Sequence, residues 1–369
     1  MRRSGLAELP LHGGRCPPWL FSRMRRLGGA VVRLIVEEFG TEEFLRRMGD
    51  PFFLQSLGCA LGYDWHSSGL TTVTLGALKE GTDPSWGIAI CGGKGKVSRR
   101  TPQEIEEKAQ LFSLSGEKLE RLKYASRMAA KVDNACVQDG YQLYHHCFIF
   151  SEDGKWAVVQ QGMRERWARR YHWVSEGIES FVEEPHAGIV GDRRESVVLD
   201  MTARESRGAR EGSLELVRED PRNLLSLARE AGQTTLDSYF RRNPQARLIM
   251  PESHGIERLT EQTLAALRRA RELNPRNYEE LVAVQGVGPK TIRALALLSD
   301  LIFGKPPSWR DPVKYSFTVG GKDGVPYPVD RRHYDEVIKF LQLTIEEAAA
   351  EREEKLKALK RLANLQGKI

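Results

Sequence analysis

The sequence predicts an α+β protein, with an N-terminal mixed α/β domain containing antiparallel hairpins and an all-helical C-terminal domain. Three observations predict it. From Ser22 to Met48 apolar residues recur at three- and four-residue steps among Arg and Glu, the mark of amphipathic helix. In the middle of the chain two apolar runs, "LYHHCFIF" and "KWAVVQQGM", flank "SEDG", so an Asp153-Gly154 turn joins two strands. After a stretch rich in Gly, Pro and Asn, the periodicity returns to helical and largely stays so.

Taken in order, Ser22–Met48 reads as one or two helices. "GYDWHSSGLTTVTLGALKEG" and "WGIAICGGKGKVSRRTPQEIEEKAQLF" read as β-branched strands broken by Gly turns, the second ending in a helix start at Thr101. A helix through Leu119 to Lys131 precedes the hairpin, and Glu205 to Glu230 is charged and helical in pattern. A linker falls at residues 231–250, helices run to Gly304, and Lys305 to Pro328 is loop-like. A long, solvated helix with Glu-to-Lys pairs closes the chain from about Asp330. The domains expected are 1–205, a charged helix and linker at 206–250, and 251–369.

Composition narrows the function. With 56 basic against 50 acidic residues the net charge is +6, which favours a polyanionic partner. Cys16, Cys59, Cys91, Cys136 and Cys147 are odd in number and form no CxxC pair, which argues against a disulfide framework and a thiolate zinc site and fits a reducing cytoplasm. No run approaches about 18 apolar residues, so no membrane span is expected. Neither a cofactor nor a metal is expected.

Candidate chemistry gathers in several places. His145 and His146 are adjacent in a strand and point to opposite faces, so a two-histidine metal centre is disfavoured. Tyr144 and His146 share one face, and Leu143, His145 and Cys147 the other. Lys131, Asp133, Gln138, Asp139 and Gln142 cluster at the approach to that strand, where a partly buried Lys or Asp serves as nucleophile or base. "GGKGK" with Arg99 and Arg100 is a cationic loop in which Lys94 and Lys96 suit phosphates, although the full P-loop pattern is missing. His66 lies in the His- and aromatic-containing "GYDWHSSG". Arg169, Arg170, Tyr171 and Trp173 interleave cations with flat rings, as stacking against unpaired bases requires, and His172 between them is an orienting group. Each residue alone is more often a structural one, and it is the clustering that brings a functional reading level with that.

"NYEELVAVQGVGPKTIRALALLSDLIFG" resembles a helix-hairpin-helix motif. Gly286 and Gly288 let the backbone approach a phosphate, and the following helix N-terminus with Lys290 supplies positive charge. The Gly-Val-Gly-x-Lys order is similar to that of the helix-hairpin-helix DNA glycosylases. That resemblance implies Lys290 as Schiff-base residue and Asp311 or Asp330 as the downstream carboxylate, Asp330 being better placed to cap a helix. Gln285 stands where those enzymes usually carry Pro, and Lys290 as phosphate ligand is the alternative. In "QTTLDSYF", Gln233, Leu236, Tyr239 and Phe240 have the spacing of sliding-clamp-binding peptides.

Across nearly the whole chain, "DWHSSG", "GGKGKVSRRTP", "AAKVDNACVQDGYQLYHH", "WAVVQQGM", "ARRYHW" and "VGGKDGVPYPVD" resemble an uncharacterised-domain family of thermophilic archaea and bacteria, linked to an archaeal DNA glycosylase acting on hydroxyuracil. The resemblance implies base-excision repair: a DNA glycosylase for 5-hydroxyuracil or uracil, with Asp133 and Asp139 first among the catalytic residues, Lys131 as a Schiff-base residue giving lyase activity, and Lys290 with Asp330 as the rival pair. Alternatives are a metal-dependent structure-specific nuclease and a non-catalytic DNA-binding adaptor recruited to the clamp.

Overall fold

The computed structural model describes residues 16–63, 69–165, 167–191, 193–224, 260–313 and 331–366. Its fold is α+β. Helix α1 (Pro18–Gly49) starts with Pro in its first turn and is broken at Gly40, so the one-or-two-helix expectation resolves into one element with a kink. In α2 (Pro51–Leu61) every residue is buried, and the Asp50 side chain caps it by accepting from Phe52 N at 2.8 Å. Residues Gly69–Gly81 form α3, where strand was expected. The β-branched Thr and Val mislead there, because Leu70, Leu75 and Leu78 at helical steps bury against α1 and override local preference.

Strand β1 (Ile88–Lys94) leads through a tight turn at Gly95–Arg100 into α4 (Thr101–Leu111), with Pro102 in its first turn as expected. Helix α5 (Gly116–Ala135), capped by Ser115, precedes β2 (Val137–Gln138), and the hairpin follows as β3 (Gln142–Ser151) and β4 (Trp156–Arg164). Strands β5 (Trp167–Val174) and β6 (Gly188–Gly191) complete an antiparallel sheet of order β1-β3-β4-β5-β6. Strand β7 (Leu199–Asp200) pairs with β2. Then come α6 (Arg207–Arg218), α7 (Glu261–Leu273), α8 (Tyr278–Ala283), α9 (Pro289–Phe303), α10 (Arg331–Glu347) and α11 (Arg352–Gln366). The single terminal helix of the sequence reading is thus two. The linker at 231–250 lies outside the described residues.

The sheet is covered on both faces. Ile88, Ile90, Cys147, Ile149, Ala157 and Val159 face one core, shared with α1–α3 and with Val337, Leu341, Ala358 and Leu362 of α10 and α11. Ala89, Cys91, Phe148, Phe150 and Val158 face the other, built with α5 and α6–α9. The alternation follows from the strand period of two, and double burial explains why "CFIF" is continuously apolar. The expected 251–369 unit divides between these cores, α7–α9 joining one and α10 and α11 the other. Among the described residues no helix is long and apolar enough to cross a membrane.

Tyr144 is a bulge. Leu143 pairs with Gly162 and His145 with Gln161, so one extra residue enters β3. Leu143 consequently packs with Tyr171 and Val313, on the face of His146 and not, as strict alternation predicts, on that of His145.

Arg169, with no exposed surface, bridges Asp139 (3.0 Å) and Asp311 (2.7 Å), joining β5 to the strand approach and to the segment after α9. Asp139 also accepts from the Tyr171 hydroxyl and Tyr141 N, and Asp311 from Glu195 N and Val313 N. Replacing Arg169 with Met leaves two buried carboxylates without their cation. The expected cost is about 3–5 kcal/mol in urea unfolding, and a loss below about 1 kcal/mol would contradict the bridging role.

Candidate functional site

A cleft of about 440 Å³ opens where α5 passes the end of β3 and the turn before α4. Ser126, Arg127, Ala130, Lys131 and Asn134 line it from α5, sharing one face because they recur at three- and four-residue steps. Arg99 and Pro102 form the opposite wall, and Tyr144, His146 and Gln160 the sheet side. Gly92 makes this turn feasible: its φ is +86°, and a Cβ there would lie 2.2 Å from the His146 carbonyl oxygen.

Beneath the cleft runs a chain of buried hydrogen bonds. Ser126 Oγ lies 2.9 Å from His146 Nε2, and His146 Nδ1 lies 2.8 Å from Gln160 Oε1. Gln160 Nε2 donates to Asp133 Oδ2, which also accepts from Trp173 Nε1 at 3.1 Å, while Asp133 Oδ1 bonds His186 Nε2 at 2.6 Å. An indole nitrogen only donates, so Asp133 Oδ2 is an acceptor. Gln160 therefore turns its amide nitrogen to Asp133 and its oxygen to His146. That fixes the imidazole proton on Nδ1 and leaves Nε2 to accept from Ser126. Burial pushes the His146 pKa below its ordinary value, which keeps the ring neutral at pH 7.

At the open end, Lys131 Nζ donates to the Val284 carbonyl at 2.6 Å, and burial lowers its pKa. Val284 immediately follows α8 and opens the turn to α9. Gly286 there has φ +93°, Val287 is buried, and Gly288 caps α9. Gln138 Nε2 donates to the Pro289 carbonyl at 2.8 Å, and its oxygen accepts from Arg293 Nε at 2.7 Å. These bonds dock the α8–α9 hairpin on the end of α5. Lys96, Arg99, Arg100, Arg127 and Lys290 are exposed with no carboxylate partner among the described residues, and Lys94 lies 5.7 Å from the Tyr144 ring centroid.

The structure thus brings Lys131, Asp133, Tyr144, His146 and Arg99 to one place, with Lys94, Lys96 and Arg100 on the same turn. It leaves others apart. Asp139, Arg169 and Tyr171 form the buried bridge, so Asp139 is engaged away from the cleft. Arg169, Arg170, Tyr171 and Trp173 are all buried, which overturns their reading as a stacking surface for bases. Arg170 bonds Thr71 and Gln55, and His172 bonds the Met48 carbonyl, both on the α1–α3 face. Trp173 instead anchors Asp133. Asp311, whose role the resemblance implied, is sequestered by Arg169. Gln142 is exposed at the start of β3. His66, Asp330 and the peptide of Gln233, Leu236, Tyr239 and Phe240 lie outside the described residues. Ser126, Arg127, Gln160 and His186 were missed; Gln160 had a signal, as an amide interrupting an apolar strand. Among the described residues no group of three His, Cys, Asp or Glu is placed to hold a metal.

The fold and site define an α+β protein with a cation-rimmed cleft over a buried proton-bonded chain. The chain belongs to the family described as protein of unknown function (DUF763), which matches residues 5–329, a span holding the whole cleft and ending before α10. No curated protein and no solved structure matches it.

His145, 2% exposed, has no partner for either ring nitrogen, and burial with the nearby cations lowers its pKa to about 3. Above pH 6.5 it is neutral in both states. As pH falls from about 6.5 toward 3, only the unfolded chain takes up the proton, so stability drops by about 1.4 kcal/mol per pH unit from this group. His145→Leu should flatten the fall in urea-unfolding free energy between pH 6 and 4.5 by that slope. An unchanged slope would show that His145 is not a source of acid sensitivity.

Proposed function

We propose that the protein is a DNA glycosylase that excises damaged pyrimidines of the 5-hydroxyuracil or uracil class in base-excision repair, with Lys131 as the amine that captures the sugar. The observation that carries this reading is Lys131 itself: a half-buried amine with a lowered pKa, at a cleft rimmed by unpaired cations and tied to a glycine turn. A cleft of about 440 Å³ is of the size that binds small molecules and suits an extruded nucleotide. Arg99 and Arg127 are available for its phosphates, and the amides of the Gly286–Gly288 turn with Lys290 for the flanking strand. A lowered pKa raises the fraction of neutral, nucleophilic amine. Lys131 Nζ attacks C1′, the N-glycosyl bond breaks, and the base departs with its electron pair. Loss of a proton from Nζ and opening of the sugar then give the Schiff base.

The reading places the protein in the reducing cytoplasm, in line with its free cysteines, and its recruitment to a sliding clamp rests on the Gln233–Phe240 spacing alone.

Borohydride should trap a covalent adduct on duplexes carrying one 5-hydroxyuracil or uracil, in the presence of EDTA, and Lys131→Met should abolish it. Metal-dependent cutting of undamaged strands, or binding with no base release, would sink the glycosylase and favour the nuclease or the adaptor. Arg99→Ala and Arg127→Ala should each weaken binding to damaged and undamaged DNA alike and reduce the slope of log affinity against log salt by about 1. Loss confined to damaged DNA would remove these residues from phosphate contact.

A further inference from the structure

We infer that Ser126 is a catalytic hydroxyl of this cleft, the entry point of a proton relay through His146 that Gln160 and Asp133 hold in a single direction. The inference rests on the glycosylase reading and deepens it.

Serine and threonine within a helix can return the hydroxyl to the carbonyl four residues back. Ser213 does so in α6, donating to the Ala209 carbonyl at 2.7 Å, and Thr344 does so in α10. Ser126 instead points its hydroxyl out of α5 to His146 Nε2 at 2.9 Å. The acceptor is a lone pair, because each bond behind it is directional: the Trp173 indole holds Asp133 as acceptor, Asp133 orients the Gln160 amide, and Gln160 Oε1 holds the proton on Nδ1. Ser126, His146 and Gln160 all line the cleft, and Lys131 lines it five residues further along α5.

The step balances. As the Lys131 Nζ–C1′ bond forms, an Nζ proton passes to Ser126 Oγ, and the Ser126 hydroxyl proton passes to His146 Nε2. The N-glycosyl electron pair leaves with the base as its anion. The imidazolium so formed faces Gln160 Oε1, with the Asp133 carboxylate behind it. Ser126 and His146 carry the proton; Gln160 and Asp133 are positioning residues.

Single-turnover base release from a duplex with one 5-hydroxyuracil tests this. Ser126→Ala should slow release by about 100-fold or more, the range of general acid–base groups, with wild-type DNA affinity and circular dichroism. Release within threefold of wild type would overturn the relay and leave the glycosylase standing. Gln160→Met should slow release and, by ring-nitrogen NMR, convert His146 from the Nδ1–H form to a mixture of tautomers. A retained Nδ1–H form would remove Gln160 from its role. Should the wild-type protein release no base from any lesion, the glycosylase reading fails, and the relay is read with a fluorophosphonate. Ser126 Oγ then attacks phosphorus, fluoride leaves, and the proton goes to His146. Peptide mass spectrometry should find the adduct on Ser126 and none in Ser126→Ala, and absence of the adduct in the wild type would overturn the relay.

Discussion

A sheet covered on both faces leaves no water for the polar side chains of its central strands, and that constraint organises the rest of the molecule. A buried polar group without a partner costs free energy on the order of 1–3 kcal/mol, which favours matching such groups from within. Gln160, fully buried on β4, is matched by His146 on β3 and by Asp133 from α5. Arg169, fully buried on β5, is matched by Asp139 and Asp311. The polar contents of the sheet therefore dictate how α5 and the segment after α9 are tied to it.

Because α5 supplies both Asp133 to the buried network and Lys131 to the cleft, its rotation about its axis is fixed by the core. Val132 and Ala129 pack inward, and the residues between them face the opening. The α8–α9 hairpin is then held there by Lys131 of α5 and by Gln138 of the adjoining β2, two side chains donating to two of its carbonyls. The glycine turn and the cleft thus share one rigid support. Functional groups on such a support are held more closely than groups on loops.

Much of this was legible in the sequence, and the failures have specific causes. The Asp153-Gly154 hairpin, the Pro-initiated α4 and α9, and the opposed faces of His145 and His146 are local and periodic, so they survive without tertiary information. Residues 69–81 do not, because their β-branched composition is overridden by packing against α1. The motif "ARRYHW" looked like a nucleic-acid platform since cations beside rings are usually exposed. Here internal carboxylates and carbonyls pay for their burial. Ser126 and His186 were illegible because each matters only through a residue twenty or more positions away, His146 and Asp133 respectively.

Several departures from ordinary local rules lie at one end of the sheet. The bulged Tyr144, the unpartnered ring of His145, the desolvated Lys131 amine and the unpaired Arg99 all line the same cleft. At the other end, the hairpin turn satisfies itself through Ser151, Asp153 and Lys155. Bulges re-aim side chains, and the one at Tyr144 does so at the cleft. The bulge in particular turns Leu143 to the face of His146 and leaves Tyr144 at the rim, where its hydroxyl accepts from Gln161 and its ring meets Lys94. The sheet edge is thereby shaped around the opening, and the polar chain beneath the opening is the part of the core that a ligand in the cleft would touch.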